Sequence, residues 1–335
     1  MTPKVSILIP AYNAERFVAA ALESAVNQTW SSTEVILVDD GSKDQTLAIS
    51  KRYECGKVKI ISEEHHNAAA TRNRALRECQ GDFIQYLDAD DLLSPNKIEE
   101  QLLLLREHPQ HLSVSSAVYF FDGTDPDAGL LERSGATDTD DPVRWLIELL
   151  GPDGPFGTVP PGAWLTPRSV AERAGPWDDS VRSPDDDGEY FARVVLASQG
   201  IRASTIGRCY YRKFKHGGSY SSTYSEPLLW GRLHSLNSKA KCLLARSDHP
   251  RARRALANRY LDLAFAAYPS FPKMTTEALR RSKEMGDTDY FPSFGTWKGA
   301  ALSRALGWKA ARRLNFHFHN LRRWASTLYA RHFSK

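Results

Sequence analysis

From residue 4 to residue 108 the chain switches repeatedly between two hydrophobic periods. KVSILIP (4–10), EVILVDD (34–40), VKIISEE (58–64) and DFIQYLDAD (82–90) are short apolar runs rich in β-branched residues, the pattern of strands buried on both faces. RFVAAALESAVNQ (16–28), DQTLAISKRYE (44–54), AATRNRALREC (69–79) and PNKIEEQLLLLREH (95–108) alternate with them and have helical spacing. In the first of these, Phe17, Ala20, Ala21, Ser24 and Ala25 fall on one side. Asp44 is placed to cap the second helix, and Pro95 suits the first turn of the fourth. Such an alternation predicts a doubly wound α/β domain with a mostly parallel sheet covered on both faces. Ligands in these sheets bind beyond the carboxyl ends of the strands. Three polar clusters stand there: Pro10–Asn13, Asp39–Asp40 and Asp88–Asp91.

Beyond residue 110 the pattern loosens. LSVSSAVYFF (112–121), AWLTP (163–167) and RCYYRKF (208–214) read as strands, and VRWLIELL (143–150) and DGEYFARVVLAS (187–198) as helices. Residues 122–141 are acidic and loop-like, and 151–162 form a Gly/Pro-rich loop. From about 226 the periodicity is mainly helical. The expected organisation is an α/β domain over 1–225 and a helical C-terminal appendage over 226–335, basic at its end.

Composition changes this picture little. With 335 residues, 41% hydrophobic and 25% charged, the chain is an ordinary folded protein, and a net charge of +4 selects no partner. The four cysteines form no CxxC pair, so a zinc site or disulfide framework is not expected, and reduced thiols in a cytoplasmic setting are. The opening MTPKVSILIPAYN runs almost directly into a strand and has no cleavage pattern, so no export signal is expected. No stretch approaches the roughly 18 apolar residues of a membrane-spanning helix. Charge distribution says more, because the last 45 residues carry no Asp or Glu.

The chemistry concentrates after the strand Phe83 to Leu87. Asp88, Asp90 and Asp91 stand within four residues, and carboxylates that close are tolerated when solvated or when a cation sits among them. Hard divalent cations take oxygen ligands and often use only one or two protein carboxylates, with phosphates and water completing the shell. The plainer reading is a solvated acidic turn capping the helix at Pro95, a role that suits Asp91 best.

In order, the segments VSILIPAYNAERFVAAALESAVNQTW, EVILVDDGSKDQT, ATRNRAL and GDFIQYLDADD resemble the nucleotide-binding half of family 2 glycosyltransferases. The match runs through roughly the first 100 residues and more weakly through 160–220. The resemblance implies a GT-A fold and an inverting transferase that uses a UDP-sugar donor with Mn²⁺ or Mg²⁺. It puts Asp90 on the metal, with Asp88 in the metal set and near the ribose or diphosphate. Asp40 would accept from a uracil N–H, with Asp39 in a supporting or metal-side role. Pro10, Ala11 and Asn13 would supply backbone around the base, and Tyr12 would pack on it; a core Tyr is the plainer alternative. Arg72 would sit near the diphosphate, where forked donors and a permanent charge suit phosphate; an ordinary helix-surface Arg is the alternative. The segment departs from the family at Ala68, where Gly commonly follows the Asn. In YYRKFKHGGSYSS (210–222), Arg212 and His216 would face the diphosphate, His216 also reaching the metal, with Gly217 and Gly218 allowing a lid to move.

An inverting transfer needs a carboxylate to take the proton of the attacking hydroxyl. Aligning SPDDDGEYFARVV (183–195) with the family on Glu189 and Arg193 makes Asp187 the base, with Asp186 the alternative one register away. The same acids would otherwise simply favour a helix N-terminus. Trp164 could stack on a sugar or fill the core.

The function implied is metal-dependent, inverting transfer to a glycan or lipid-linked acceptor, as in surface polysaccharide or glycoconjugate biosynthesis. A nucleotidyltransferase would want a Gly-rich basic loop where PAYNAERF stands, and a noncatalytic nucleotide-sugar-binding or scaffold subunit would not need Asp88, Asp90 and Asp187 together. In the tail, Leu302, Leu306, Ala310, Leu314, Phe318, Leu321, Ala325 and Leu328 trace an apolar helical stripe through 297–333, beside Arg312, Arg313, Arg322 and Arg323. Two readings stand: peripheral contact with the inner face of a membrane, or packing on the protein's own domain or a partner subunit. No nucleic-acid-binding motif accompanies the charge, and spacing does not set the sugar, the acceptor or the oligomeric state.

Overall fold

The computed structural model describes residues 2–132, 137–151, 159–180, 182–214, 225–292 and 297–316. β1 (Val5–Ala11), α1 (Val18–Val26), β2 (Thr33–Asp39), α2 (Thr46–Ser50), β3 (Val58–Ser62), α3 (Ala68–Glu78) and β4 (Phe83–Tyr86) alternate as the periodicity predicts. β1 pairs in parallel with β2, Ala11 opposite Asp39, and with β4, Leu8 opposite Tyr86. β3 pairs in parallel with β2. The strand period of two separates the two faces. Val5, Ile7 and Ile9 pack with Val18, Ala21, Leu22 and Ala25 of α1, whereas Leu8 packs with Ile36, Val38, Ile84 and Ala75 of α3 on the opposite side.

The next elements are β5 (Leu92–Leu93), α4 (Lys97–Leu105), β6 (Leu112–Phe121), β7 (Leu130–Glu132), α5 (Pro142–Leu150), β8 (Trp164–Pro167), α6 (Arg168–Ala174), α7 (Asp186–Ala197) and β9 (Ile201–Lys213). The sheet order is β3-β2-β1-β4-β8-β6-β9-β5, with β7 on β6. β8 runs antiparallel to β4 and β6, and β9 runs parallel to β6 and antiparallel to β5. The sheet is therefore parallel over its first four strands and mixed beyond them. β9 starts at Ile201 rather than at Arg208, and Pro95 lies in the turn before α4 instead of in its first helical turn. α6 was not foreseen.

α8 (Glu226–Arg246), α9 (Pro250–Ala267), α10 (Pro272–Met285) and α11 (Trp297–Leu306) follow. Leu229, Leu233, Leu236 and Leu243 of α8, Leu256 and Tyr260 of α9 and Ala278 of α10 join the cluster that holds Val194 of α7 and Leu112 of β6. The helical region thus continues the core of the α/β domain.

Gly307, at φ +75°, ends α11 and starts a second helical segment, 308–316, so the stripe read through 297–333 is broken there. Trp308 packs against Phe265 and Tyr268, and Arg312 donates to the Tyr268 carbonyl. Ala311 and Ser303 are buried, while Leu302, Leu306, Ala310 and Leu314 of the predicted stripe are exposed. Phe318, Leu321, Arg322, Arg323, Ala325 and Leu328 lie outside the described residues. Among the described residues no helix is long and apolar enough to cross a membrane.

Candidate active site

The parallel register brings the carboxyl ends of β1, β2 and β4 to one rim. Backbone hydrogen bonds lace the first two together: Asp40 N–H donates to the Ala11 carbonyl, Asn13 N–H to Ser42 Oγ, and Lys43 N–H to Asn13 Oδ1. Asn13 takes a left-handed conformation, φ 49°, to turn the chain there. Asp39 is buried, its Oδ2 accepting from Ser42 N–H at 3.2 Å. Asp40 is also buried, and Tyr12 stands 42% exposed at the rim, so the structure gives it a free surface rather than a core position.

β4 stops at Tyr86, and the chain turns through Asp88–Asp91 with Asp91 N–H donating to the Asp88 carbonyl. Asp91 is not a helix cap. It is buried, and its Oδ1 accepts from Arg212 N–H at 2.9 Å, tying the turn to β9. Burial, with Asp90 and Asp88 beside it, pushes its carboxyl well up. Arg212 turns toward the same support. Its Nε donates to the Asp90 carbonyl at 2.8 Å, its NH1 reaches Asp122 at 3.2 Å, and its guanidinium lies over Phe17 and Phe120. It holds the acidic turn from behind.

Asp90 differs from its neighbours: among the described residues no ion pair or side-chain hydrogen bond reaches its carboxylate. Burial and the Asp88 charge push it up to about 6. Among the described residues no three His, Cys, Asp or Glu side chains make a closed ligand set. Asp90 and Asp88 still suit a hard cation, because such an ion needs few protein oxygens and would relieve a carboxylate that burial and the Asp88 charge push up.

Arg72, buried on α3, joins this turn to α7. Its NH2 donates to Asp88 Oδ1 at 2.9 Å and its NH1 to Asp186 Oδ2 at 3.0 Å. It is not a surface arginine: its guanidinium lies 4.5 Å from the Trp177 ring centroid. Trp177 is fixed in turn. Its Nε1 donates to Tyr86 Oη, its N–H donates to Asn73 Oδ1, and its ring stacks on Tyr190 at 4.1 Å. α7 therefore starts beside Arg72, with Asp186, Asp187 and Glu189 in its first turn, where the helix dipole favours anions. Glu189 and Arg193 form a two-pronged pair at 2.8 Å that anchors the helix. Lys239 of α8 reaches Asp185 at 2.7 Å, and a Cβ at Gly188 would collide with Asp185 Oδ1. Burial first, then the charges of Asp186 and Asp185, push Asp187 up to about 7. Burial raises Asp186 as well, against the pull of Arg72.

One rim thus gathers Pro10, Ala11, Tyr12, Asn13, Asp39, Asp40, Arg72, Asp88, Asp90, Asp186 and Asp187. His216, with Lys215, Gly217 and Gly218, lies outside the described residues. Trp164 is buried and stacks on Phe191 at 5.0 Å, which settles it in the core. Sequence reasoning missed His65, which contacts both Tyr12 and Asp40, and the supports Asn73, Trp177 and Lys239. His65 had a signal: it follows the third strand at the same rim as the acidic clusters.

The family model for glycosyl transferase family 2 matches residues 6–173. Among curated proteins, the Escherichia coli UDP-Glc:alpha-D-GlcNAc-diphosphoundecaprenol beta-1,3-glucosyltransferase WfgD is 36% identical over 102 residues, 30% of this chain and 40% of WfgD. The chain spans less than half the length of the curated relatives it matches. Among solved structures, residues 1–349 of TarS from S. aureus, in complex with UDP-GlcNAc, superpose with a TM-score of 0.59 at 18% identity, over 87% of this chain and 95% of that fragment. The mannosyltransferase PcManGT from Pyrobaculum calidifontis, in complex with GDP-Man and Mn²⁺, superposes with a TM-score of 0.52 at 16% identity, over 93% and 85%. These likenesses establish the GT-A type of fold.

Proposed function

Because the chain belongs to glycosyl transferase family 2, we propose that it moves a sugar from a UDP-sugar to a glycan or lipid-linked acceptor, with inversion at the anomeric carbon. The observation that carries this reading is the Arg72 bridge, which holds the donor-side acid Asp88 and the acceptor-side acid Asp186 on one guanidinium. Tyr12 faces the uracil ring, and Asp40 accepts from its imide N–H. A divalent cation held by Asp90, with Asp88 beside it, would neutralise charge on the leaving diphosphate. Asp187, raised to about 7, is matched to proton transfer near neutrality. It takes the proton as the acceptor O–H breaks. The new C–O bond forms on one face of the anomeric carbon while the bond to the diphosphate breaks on the other, and UDP leaves.

WfgD, as its name states, uses UDP-Glc and a diphosphoundecaprenol-linked acceptor, and the TarS structure holds UDP-GlcNAc. Both favour a UDP-sugar donor, and the first favours a lipid-linked acceptor made for polysaccharide assembly. Exposed Leu302, Leu306, Leu314 and Phe316 on the basic tail favour peripheral contact with the membrane surface where such an acceptor lies. A panel of nucleotide sugars screened by thermal shift with Mn²⁺ tests the reading, since a ligand that binds the folded state raises the apparent Tm. UDP-sugars should raise it, and no response to any of them would count against a UDP-sugar transferase.

A further inference from the structure

Both groups read above as the uridine site are held by one residue outside the family motifs. The His65 ring stacks on Tyr12, with centroids 4.3 Å apart and planes inclined by 22°. Its Nδ1 lies 2.9 Å from Asp40 Oδ2 and 3.2 Å from the Asp40 carbonyl oxygen. Both neighbours can only accept, so Nδ1 carries the hydrogen and donates. The other carboxylate oxygen, Asp40 Oδ1, accepts from His66 N–H at 2.8 Å. Each oxygen of this buried carboxylate is thus fixed by one donor and keeps a further lone pair.

The histidine is itself confined. Gly41 takes φ +70°, and a Cβ there would come within 2.9 Å of His65 N and 3.3 Å of His65 Cβ. The turn after β2 passes against the His65 backbone at a distance that only glycine allows.

We infer that His65 is a specificity-determining positioning residue, which aims Asp40 at the base and sets the plane of the Tyr12 ring on which the base stacks. This inference rests on the uridine reading of the site and adds what makes that site selective. Uracil presents an imide N–H between two carbonyl acceptors. Cytosine presents a bare ring nitrogen there and an amine beside it. A carboxylate that rotates freely turns from the imide position to the amine and accepts from either base. One pinned at both oxygens cannot follow the amine, and it meets the bare nitrogen of cytosine lone pair to lone pair.

The test is calorimetric titration of the whole protein with UDP and with CDP, in Mn²⁺. The wild type should prefer UDP; if it does not, the uridine reading itself is wrong, whatever the variants do. Given that preference, His65→Ala should weaken UDP binding about tenfold and shrink the UDP-over-CDP ratio. His65→Asn keeps a donor toward Asp40 and should restore much of the ratio without the full affinity. His65→Phe keeps the ring against Tyr12 and should restore affinity without the ratio. Thermal midpoints measured without nucleotide separate these effects from loss of fold. A His65→Ala protein that binds UDP as tightly as the wild type, with the same preference over CDP, overturns the inference. So does a Phe variant that recovers both affinity and ratio.

Discussion

Arg72 donates to Asp186 at 3.0 Å across 114 positions of sequence, while its other terminal nitrogen holds Asp88 at 2.9 Å. The pairing ties the turn after β4 to the first turn of α7. Removing a buried partner leaves uncompensated charge behind, so Arg72→Ala should cost about 3–5 kcal/mol in urea-induced unfolding. Arg72→Lys keeps the charge but has no fork, and one ammonium cannot span both carboxylates. It should fold better than Arg72→Ala and still lose both UDP affinity and kcat. A lysine variant with wild-type kinetics would show that the bridge does not align the two halves of the site.

With Asp187 as the proposed base, the rate should carry its pH dependence. A base raised to about 7 is protonated below that pH, so kcat/KM should climb through about pH 7 and level off above it. Asp187→Asn should lower kcat by ~10²-fold or more and flatten this limb, with UDP affinity unchanged. If Asp186→Asn behaves this way instead, the base is one residue earlier. Stability moves in the opposite direction. The folded state holds a proton on Asp187 that the unfolded chain releases near pH 4, so the contribution of this group to stability is greatest at low pH and falls as pH rises toward 7. The slope from this group is at most about 1.4 kcal/mol per pH unit. Unfolding curves of wild type and Asp187→Asn from pH 4.5 to 8 should therefore diverge, the wild type losing more as pH rises.

Asp91 and Arg212 make a separate structural test. Asp91→Ala leaves the part-buried Arg212 N–H without its acceptor and should cost about 1–3 kcal/mol. Asp91→Asn retains an acceptor oxygen and removes a carboxyl that burial already pushes up, so it should be close to neutral. Equal losses in the two variants, measured by thermal unfolding, would place the role of Asp91 in its charge rather than in this hydrogen bond.

How far the sequence was legible follows from how local the signals are. Strands buried on both faces announce themselves as apolar runs, so β1 to β4, and the rim they carry, were readable with Asp40, Asp88 and Asp90 in place. β9 was cut short because IRASTIG, its first half, mixes polar and apolar positions without a clean period, and β5 has only two residues. The antiparallel placing of β8 between β4 and β6 rests on pairings between distant segments. Non-locality hid more of the site. Nothing in ATRNRAL says that Arg72 meets Asp186, and nothing in SPDDDGEYF says that Lys239 closes on Asp185. Asp91 was misread as a cap because its true partner, the Arg212 backbone, is 121 positions away.

The tail carries a prediction about location. Leu302, Leu306 and Leu314 face outward, while Trp308 and Arg312 hold the segment on α9. If this surface meets an anionic leaflet, the protein should float with acidic phospholipid vesicles at low salt. High salt should release it, because each basic residue contributes only ~1 kcal/mol, screened within roughly 8 Å at physiological ionic strength. Replacing Leu302, Leu306 and Leu314 with Ser should abolish flotation and leave UDP binding unchanged. A wild-type protein that stays at the bottom of the gradient at low salt rules the contact out.

The most direct measurement is UDP release from a panel of UDP-sugars, with water as the acceptor, by the wild type and by Asp90→Asn, each with Mn²⁺ and with a chelator. The wild type should turn over at least one UDP-sugar and stop when the metal is removed. Asp90→Asn, folded to the same thermal midpoint or a higher one, should be inactive under both conditions. An Asp90→Asn protein with near-normal, chelator-sensitive release would contradict this reading, as would a wild type that releases UDP from none of the sugars.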